Sequence, residues 1–289
     1  MSLPTWGDAK SVWQQTSPVW KQHVNKADAE QVMDWPVSDD FHTKQGRSTG
    51  RIVIHPQLSI YLKRHWKFTW REQLHARIKP SANWSPAQQE WHHLQWAIQN
   101  GFHVPEPLAA GQMISSTGQL LSYLAIRELT GMLALHQAIP LASSIMPAAT
   151  FSLWKQSVFE QCAAISRKLH QAGRYHKDLY LCHFYVTMPV ANQSVPGPLA
   201  IIDLHRMGHH PLLGWRWQIK DLAQFLYSTW NVTGIAESDR SQFMHNYLQT
   251  DRLTEHEKSW WHLIQNKARR YARHNQLEIA SPHTLGRAA

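Results

Sequence analysis

The sequence predicts an α+β protein of two lobes, a small strand-rich N-terminal half carrying one helix and a larger, mainly helical C-terminal half. Three observations predict it. Runs rich in β-formers ("RIVIH", "LSIYLKR", "LLSYLAIREL") cluster before residue 130. One well-marked amphipathic helix lies among them. Beyond about residue 150 the apolar period is helical, broken by a single pair of short strands. The lobes are placed at residues 1–129 and 130–289, because "TGM" after Leu129 reads as a connector. A chain of 289 residues is long enough for two lobes with a core each.

Residues 1 to about 50 are polar and carry no strong period. "RIVIH" and "LSIYLKR", separated by Pro56-Gln57, read as a hairpin. Strand alternation puts Lys63 on the face of Tyr61, opposite Ile60 and Leu62. "SPAQQEWHHLQWAIQNG" reads as a helix with Ser85 as N-cap, Pro86 in its first turn, Gln88 completing a capping box and Gly101 as the stop. Its apolar stripe is Ala87, Trp91, Leu94 and Ile98, and Glu90 leans toward that core side. A second helix, about 150–172, shows Trp154, Val158, Cys162, Ile165 and Leu169 on one face and ends at Gly173. "HFYVTM" and "LAIIDLH" are strands joined by a turn-rich stretch. After Trp215 the chain is mostly helical, with a capping box at Thr254 and Glu257. There is no internal repeat and no low-complexity tract.

Composition excludes several classes. Hydrophobic residues at 43% and charged residues at 17% describe a globular chain. No apolar run approaches the ~20 residues of a membrane span, and the start "MSLPTWGDAK" lacks a signal peptide's pattern, so the expected location is cytoplasmic. Cys162 and Cys182 fit a reducing compartment. The net charge of +9 favours anionic partners. The 20 His include no HExxH, which argues against zinc.

The chemistry concentrates in "RYHKDLYLCHFYV" and "IIDLH". Asp178 sits in a loop after a helix, His183 begins a strand, and Asp203 ends the partner strand. Two carboxylates and an imidazole at one end of a hairpin suit a divalent cation and an acceptor hydroxyl. Lys63 and Glu90 offer a charge pair, and together these are the parts of phosphoryl transfer.

"HKDLYLCH" resembles the HRDxxxxN catalytic loop of protein kinases, "IIDLH" the strand ending in DFG, and "IYLK" the VAIK strand. More narrowly, H-x-D-x-Y-x-C-H-F followed by I-D-L-H-R is similar to the lipopolysaccharide core kinases of Gram-negative bacteria, the WaaP/InaA family. The similarity runs from about Arg51 to Tyr227. It implies a bilobal protein-kinase-like fold and an ATP-dependent phosphotransferase acting on an inner-core sugar hydroxyl, of heptose or of Kdo. Asp178 would be the catalytic base, and Asp203 the ligand of Mg²⁺, or of Mn²⁺ as the softer alternative. His183 stands at the metal-binding Asn. Lys63 would contact the phosphates with Glu90 holding it. Glu128 and Leu129 fall at the adenine hinge, and Gly46 and Gly50 of "GRSTG" at the nucleotide loop. His176 would steady the Asp203 loop and Asp221 would brace the catalytic loop. The implied partners are ATP and a lipid A-core acceptor at the inner face of the inner membrane, with no nucleic acid.

Departures from the protein-kinase pattern narrow the reading. Lys177 replaces the usual Arg, "GRSTG" is not GxGxxG, and the stretch from Asp203 to Asp221 leaves little room for a regulated activation loop. The alternatives are a soluble small-molecule kinase of the aminoglycoside or choline type, which usually keeps Asn at the position of His183, and a catalytically inactive basic binding module. Lys267, Arg269, Arg270 and Arg273, with Trp260 and Trp261 nearby, would give the C-terminal helix an anionic-membrane contact.

Overall fold

The structure, a computed structural model, describes residues 9–36, 39–40 and 46–280. The chain divides into two compact units. One comprises the residues up to Thr130 together with Asp203–His205; the other comprises Gly131–Ile202 and the chain from Arg206 onward.

The first unit is built on a six-stranded antiparallel sheet. Its strands are β1 (Lys10–Thr16), β2 (Asp39–Asp40), β3 (Arg47–His55), β4 (Leu58–His65), β5 (Pro107–Ile114) and β6 (Leu120–Arg127), in the order β1-β5-β6-β4-β3-β2. The hairpin at Pro56-Gln57 is present, with Ile60 facing Ile52 and Lys63 facing Thr49 across β3. Alternation along β4 buries Leu58, Ile60, Leu62 and Arg64. The core behind them includes Trp20, Val32, Met33, Leu108 and Leu121. Arg64 is the polar member of that face. Its guanidinium donates to Ser48 Oγ (2.9 Å) and to the carbonyls of Met33 (2.9 Å) and Trp35 (2.8 Å), which ties the N-terminal segment to the sheet.

Where one helix was expected here, the described residues contain four: α1 (Pro18–His23), α2 (Lys26–Glu30), α3 (Trp70–Ile78) and α4 (Pro86–Gln99). The first two, of 6 and 5 residues, are too short to show a helical period. β1 and β5 were also not legible. β1 is a polar edge strand, and β5 is buried at every position except its last, so neither alternates cleanly. α4 starts at Ser85 as expected, with Ser85 Oγ accepting from Gln88 N–H, but the expected capping box is not completed: Ser85 N–H donates to Gln112 Oε1 of β5 instead of to the Gln88 side chain. Its stripe is corrected at one place: Ile98 is exposed and Ala97 is buried instead. The helix packs on β4, β5 and β6.

The second unit contains β7 (Met132–Ala134), α5 (Leu135–Ile145), α6 (Ala148–Gln171), β8 (Arg174–Tyr175), β9 (Phe184–Thr187), β10 (Ala200–Ile201), β11 (Gly208–His209), α7 (Gly214–Ser228), α8 (Glu237–Leu248) and α9 (Glu255–Ala280). α5 escaped the sequence reading because Pro140 lies inside it. α6 follows its expected stripe, with Ile165 half-buried and the other four positions buried. β9 is the middle strand of β10-β9-β7, and Phe159, Phe184, Phe225 and Phe243 form an aromatic core beneath it. No helix among the described residues is long and apolar enough to cross a membrane.

Candidate active site

In the first unit, Lys63 leaves β4 on the face opposite the core. Its Nζ donates to Glu90 Oε1 at 2.7 Å and to Asp203 Oδ1 at 2.9 Å. Glu90 on α4 is only 2% exposed. A carboxylate buried to that extent is costly unless a cation meets it, and Lys63 does. Burial by itself would push the Lys63 ammonium down, but Glu90 and Asp203 outweigh it and hold the group well above its ordinary range. Burial likewise pushes the Asp203 carboxyl up. Lys63 and the His205 side chain, which donates from Nδ1 to Oδ1 at 2.9 Å, more than reverse this and hold it well below the usual carboxylate range. The site is a fixed cation between two fixed anions.

Asp203 lies two residues beyond β10, not at its end, and has φ of +63°. Asp is among the few residues that adopt this left-handed conformation at modest cost. The next residue, Leu204, presents its carbonyl to His93 Nδ1 of α4 at 2.8 Å. The helix that carries Glu90 therefore also anchors the Asp203 segment. On β4, two residues after Lys63, burial pushes His65 down to about 3, helped by Lys63, His205 and Arg47, so that its ring is neutral.

The second unit holds Asp178. Arg206 Nη1 lies 3.1 and 2.9 Å from its two carboxylate oxygens, Gln224 Nε2 lies 3.3 Å from Oδ1, and Lys220 Nζ lies 3.9 Å away. The preceding Lys177 has φ of +66°, and a lysine in that region is strained. What holds the turn is Asp221 of α7, fully buried, whose carboxylate accepts from His176 N–H (2.8 Å) and Lys177 N–H (2.7 Å). Lys220 also donates to the Lys177 carbonyl. His176 Nε2 donates to the carbonyl of Ile202, the residue before Asp203, at 3.0 Å.

His183 closes a short 3₁₀ turn, Leu181–His183, one residue before β9, rather than beginning the strand. Its Nδ1 donates to the backbone carbonyl of Asp178 at 2.7 Å, and its ring stacks on His176. As a metal set the donors are sparse. Among the described residues no three or more His, Cys, Asp or Glu side chains gather to hold an ion. One carboxylate nevertheless fits Mg²⁺, which is commonly held by one or two carboxylates plus substrate phosphates and water. Asp203 fits that role better than His183, since imidazole is a poor ligand for so hard a cation.

The remaining sequence candidates all belong to the first unit. Glu128 is engaged by Arg51, Nε to Oε1 and Nη2 to Oε2 both at 2.9 Å, and its N–H donates to Ser59 O. Leu129 follows it, half-buried. "GRSTG" is not a loop. Gly46, at φ +84°, precedes β3, and Gly50 lies inside that strand opposite Leu62 and Asp40. Sequence reasoning assigned no role to Arg206, Lys220, Gln224 or His205. His205 and Arg206 stood in the quoted "IDLHR", but a motif letter does not say which carboxylate a side chain will reach.

The lipopolysaccharide kinase (Kdo/WaaP) family model matches residues 37–247. The lipopolysaccharide core heptose(I) kinase WaaP of Escherichia coli K12 is 25% identical over 208 residues, 72% of this chain and 77% of the relative. The enzyme of the same name from Pseudomonas aeruginosa is 24% identical over 209 residues, 72% and 76% of the two chains. A solved structure, WaaP in complex with acyl carrier protein, superimposes with a TM-score of 0.66 at 22% identity, covering 90% of this chain and 99% of that one. That match shows the same kinase-like α+β fold.

Proposed function

The chain belongs to the lipopolysaccharide kinase (Kdo/WaaP) family, and on that premise we propose that it transfers the γ-phosphoryl group of ATP to a heptose hydroxyl of the lipopolysaccharide inner core. The observation that carries the reading is Lys63 held between Glu90 and Asp203 at 2.7 and 2.9 Å. A scaffold gains nothing from burying a carboxylate to aim a lysine at a second carboxylate. An enzyme that grips phosphates does. In this reading Lys63 contacts the phosphates, Glu90 fixes its direction, and Asp203 is the metal ligand. Bound Mg²⁺ would supply charge neutralisation across the phosphate oxygens.

Asp178 orients the acceptor hydroxyl and takes its proton as the new O–P bond forms and the bond to ADP breaks. Arg206 lies against the Asp178 carboxylate and fixes its direction. That suits phosphoryl transfer, whose loose transition state asks more for alignment of the hydroxyl than for early proton removal. His183, through the Asp178 carbonyl, and Asp221, through the two preceding N–H groups, set the loop that aims Asp178. The acceptor places the reaction at the cytoplasmic face of the inner membrane.

The test is incubation of the purified chain with Mg-ATP and a dephosphorylated core acceptor, followed by phosphate mapping of the product by mass spectrometry and NMR. Phosphate on a heptose is the expected result. Phosphate on Kdo would move the acceptor within the family. Phosphate only on a small alcohol such as choline would overturn the reading.

A further inference from the structure

We propose that α3 is a membrane-docking helix that takes the surface of an anionic phospholipid bilayer. Trp70, Leu74 and Ile78 recur every fourth residue, which places them on one face. They are 69%, 47% and 74% exposed. The only buried side chain of this helix is Ala76. The stripe is thus not used in packing the unit that carries it. The helix is held at its start by a capping box, Thr69 Oγ1 accepting from Glu72 N–H while the Glu72 carboxylate accepts from Thr69 N–H, so it keeps its form without burying the stripe.

Charge chooses the occupant. From Lys67 to Lys79 the cations are Lys67, Arg71, Arg77 and Lys79, and the single carboxylate, Glu72, is spent in the cap. Arg71 lies 5.3 Å from the centroid of the Trp70 ring, so a basic head already borders the apolar face. Long basic side chains beside Trp match the boundary between acyl chains and anionic headgroups. A cavity of about 360 Å³, lined by Trp66, Lys67, Phe68, Gln73 and Arg77 among others, adjoins the helix and offers room for a lipid phosphate.

The size of the patch argues against a protein partner. The stripe is about 12 Å long, and three side chains at these exposures present roughly half of the ~800 Å² per side that a stable protein interface uses. A bilayer needs no matching shape, and each basic residue at its surface strengthens binding about fivefold. α9, the helix expected from sequence to make this contact, is a weaker candidate. Trp260 stacks on Tyr247 of α8 at 6.1 Å, and Trp260 and Trp261 are both half-buried.

Co-sedimentation of the full chain with vesicles tests the proposal without ATP or acceptor, so its outcome is independent of the kinase reading. Vesicles of phosphatidylglycerol with phosphatidylethanolamine should pellet the protein, and pure phosphatidylcholine should not. A Trp70→Ser/Leu74→Ser/Ile78→Ser variant should lose at least about tenfold in vesicle affinity, as should Arg71→Glu/Arg77→Glu, with circular dichroism showing both folded. The charge variant keeps the test decisive if the apolar one does not fold. Unchanged binding by either folded variant would overturn the proposal, as would wild type that ignores anionic vesicles. A wild-type dimer that dissociates on these substitutions would assign the face to a second copy, and capture of an acidic protein in place of vesicles would assign it to a protein partner; either overturns it.

Discussion

Four side chains carry the sharpest predictions. On the proposed assignment Asp178→Asn removes the base but leaves the nucleotide ligands, so kcat should fall on the order of 10³-fold with nucleotide affinity retained. Asp203→Asn should lower kcat comparably and also weaken Mg-ATP binding, measured by calorimetry. Near-normal turnover in either would remove that residue from its role. For His183 the bond to the Asp178 carbonyl decides the expectation. Asn can donate to the same oxygen, so His183→Asn should keep measurable activity with Mg²⁺, whereas His183→Ala should lose about 10²-fold. An Asn variant inactive with Mg²⁺ would identify His183 as a metal ligand. His65 reports on stability. Burial holds it near 3, and Lys63, His205 and Arg47 add to the effect while Asp203 opposes it. The unfolded chain takes up this proton near pH 6.5 and the folded one does not. Stability should therefore fall as pH drops from about 6.5 toward 3, by up to about 1.4 kcal/mol per unit. Urea unfolding of His65→Gln at pH 7, 6 and 5 should show a shallower decline than wild type.

Among the elements, α7 holds the loop of His176, Lys177 and Asp178. Its fully buried Asp221 satisfies two backbone N–H groups at a strained turn and also lies 3.3 Å from His170 Nε2. Asp221→Ala takes the partner from the buried His176 N–H and the part-buried Lys177 N–H, which should cost about 3–5 kcal/mol in urea unfolding. Activity should fall even at temperatures where the variant is folded, because the turn then loses the two N–H bonds that offset its strain. Equal stability and activity would mean that other contacts set the loop. β4 plays the matching part in the first unit. One alternating strand delivers Ile60, Leu62 and Arg64 to the core and Lys63 to the site, so a shift of register by one residue would exchange them.

At the scale of the molecule, the nucleotide is a ligand of the folded state only. Mg-ATP at a hundredfold excess over its Kd should therefore stabilise the chain by about 2.7 kcal/mol, visible as a raised Tm. The increment should shrink when EDTA replaces the metal and in Asp203→Asn. A metal-independent increment would place the nucleotide on Lys63 without Asp203. The contact pattern assigns Asp203–His205 to the first unit although chain neighbours on both sides belong to the second. The backbone thus runs from Ile202, hydrogen-bonded to His183 O, through Asp203 to Arg206, which holds Asp178.

Local rules were enough for part of this architecture. Strand alternation in "LSIYLKR" placed Lys63 opposite Ile60 and Leu62, and the cap at Ser85 with the helical period placed Glu90 toward the core. Both signals lie within one element and do not depend on its neighbours. The motifs "HKDLYLCH" and "IIDLH" resembled a catalytic loop and a metal-binding strand end for the same reason. What the sequence could not show is set by long-range pairing. β5, buried on both faces, carries no alternation, and the N-terminal segment is held by Arg64, whose guanidinium reaches carbonyls about thirty residues away. "GRSTG" is set at the nucleotide loop by the kinase resemblance, but pairing with β4 makes Arg47 to Gly50 strand. The partners of Asp178 belong to the same class. Arg206 and Gln224 lie 28 and 46 residues along the chain, and only the fold brings a side chain across that distance to a particular oxygen.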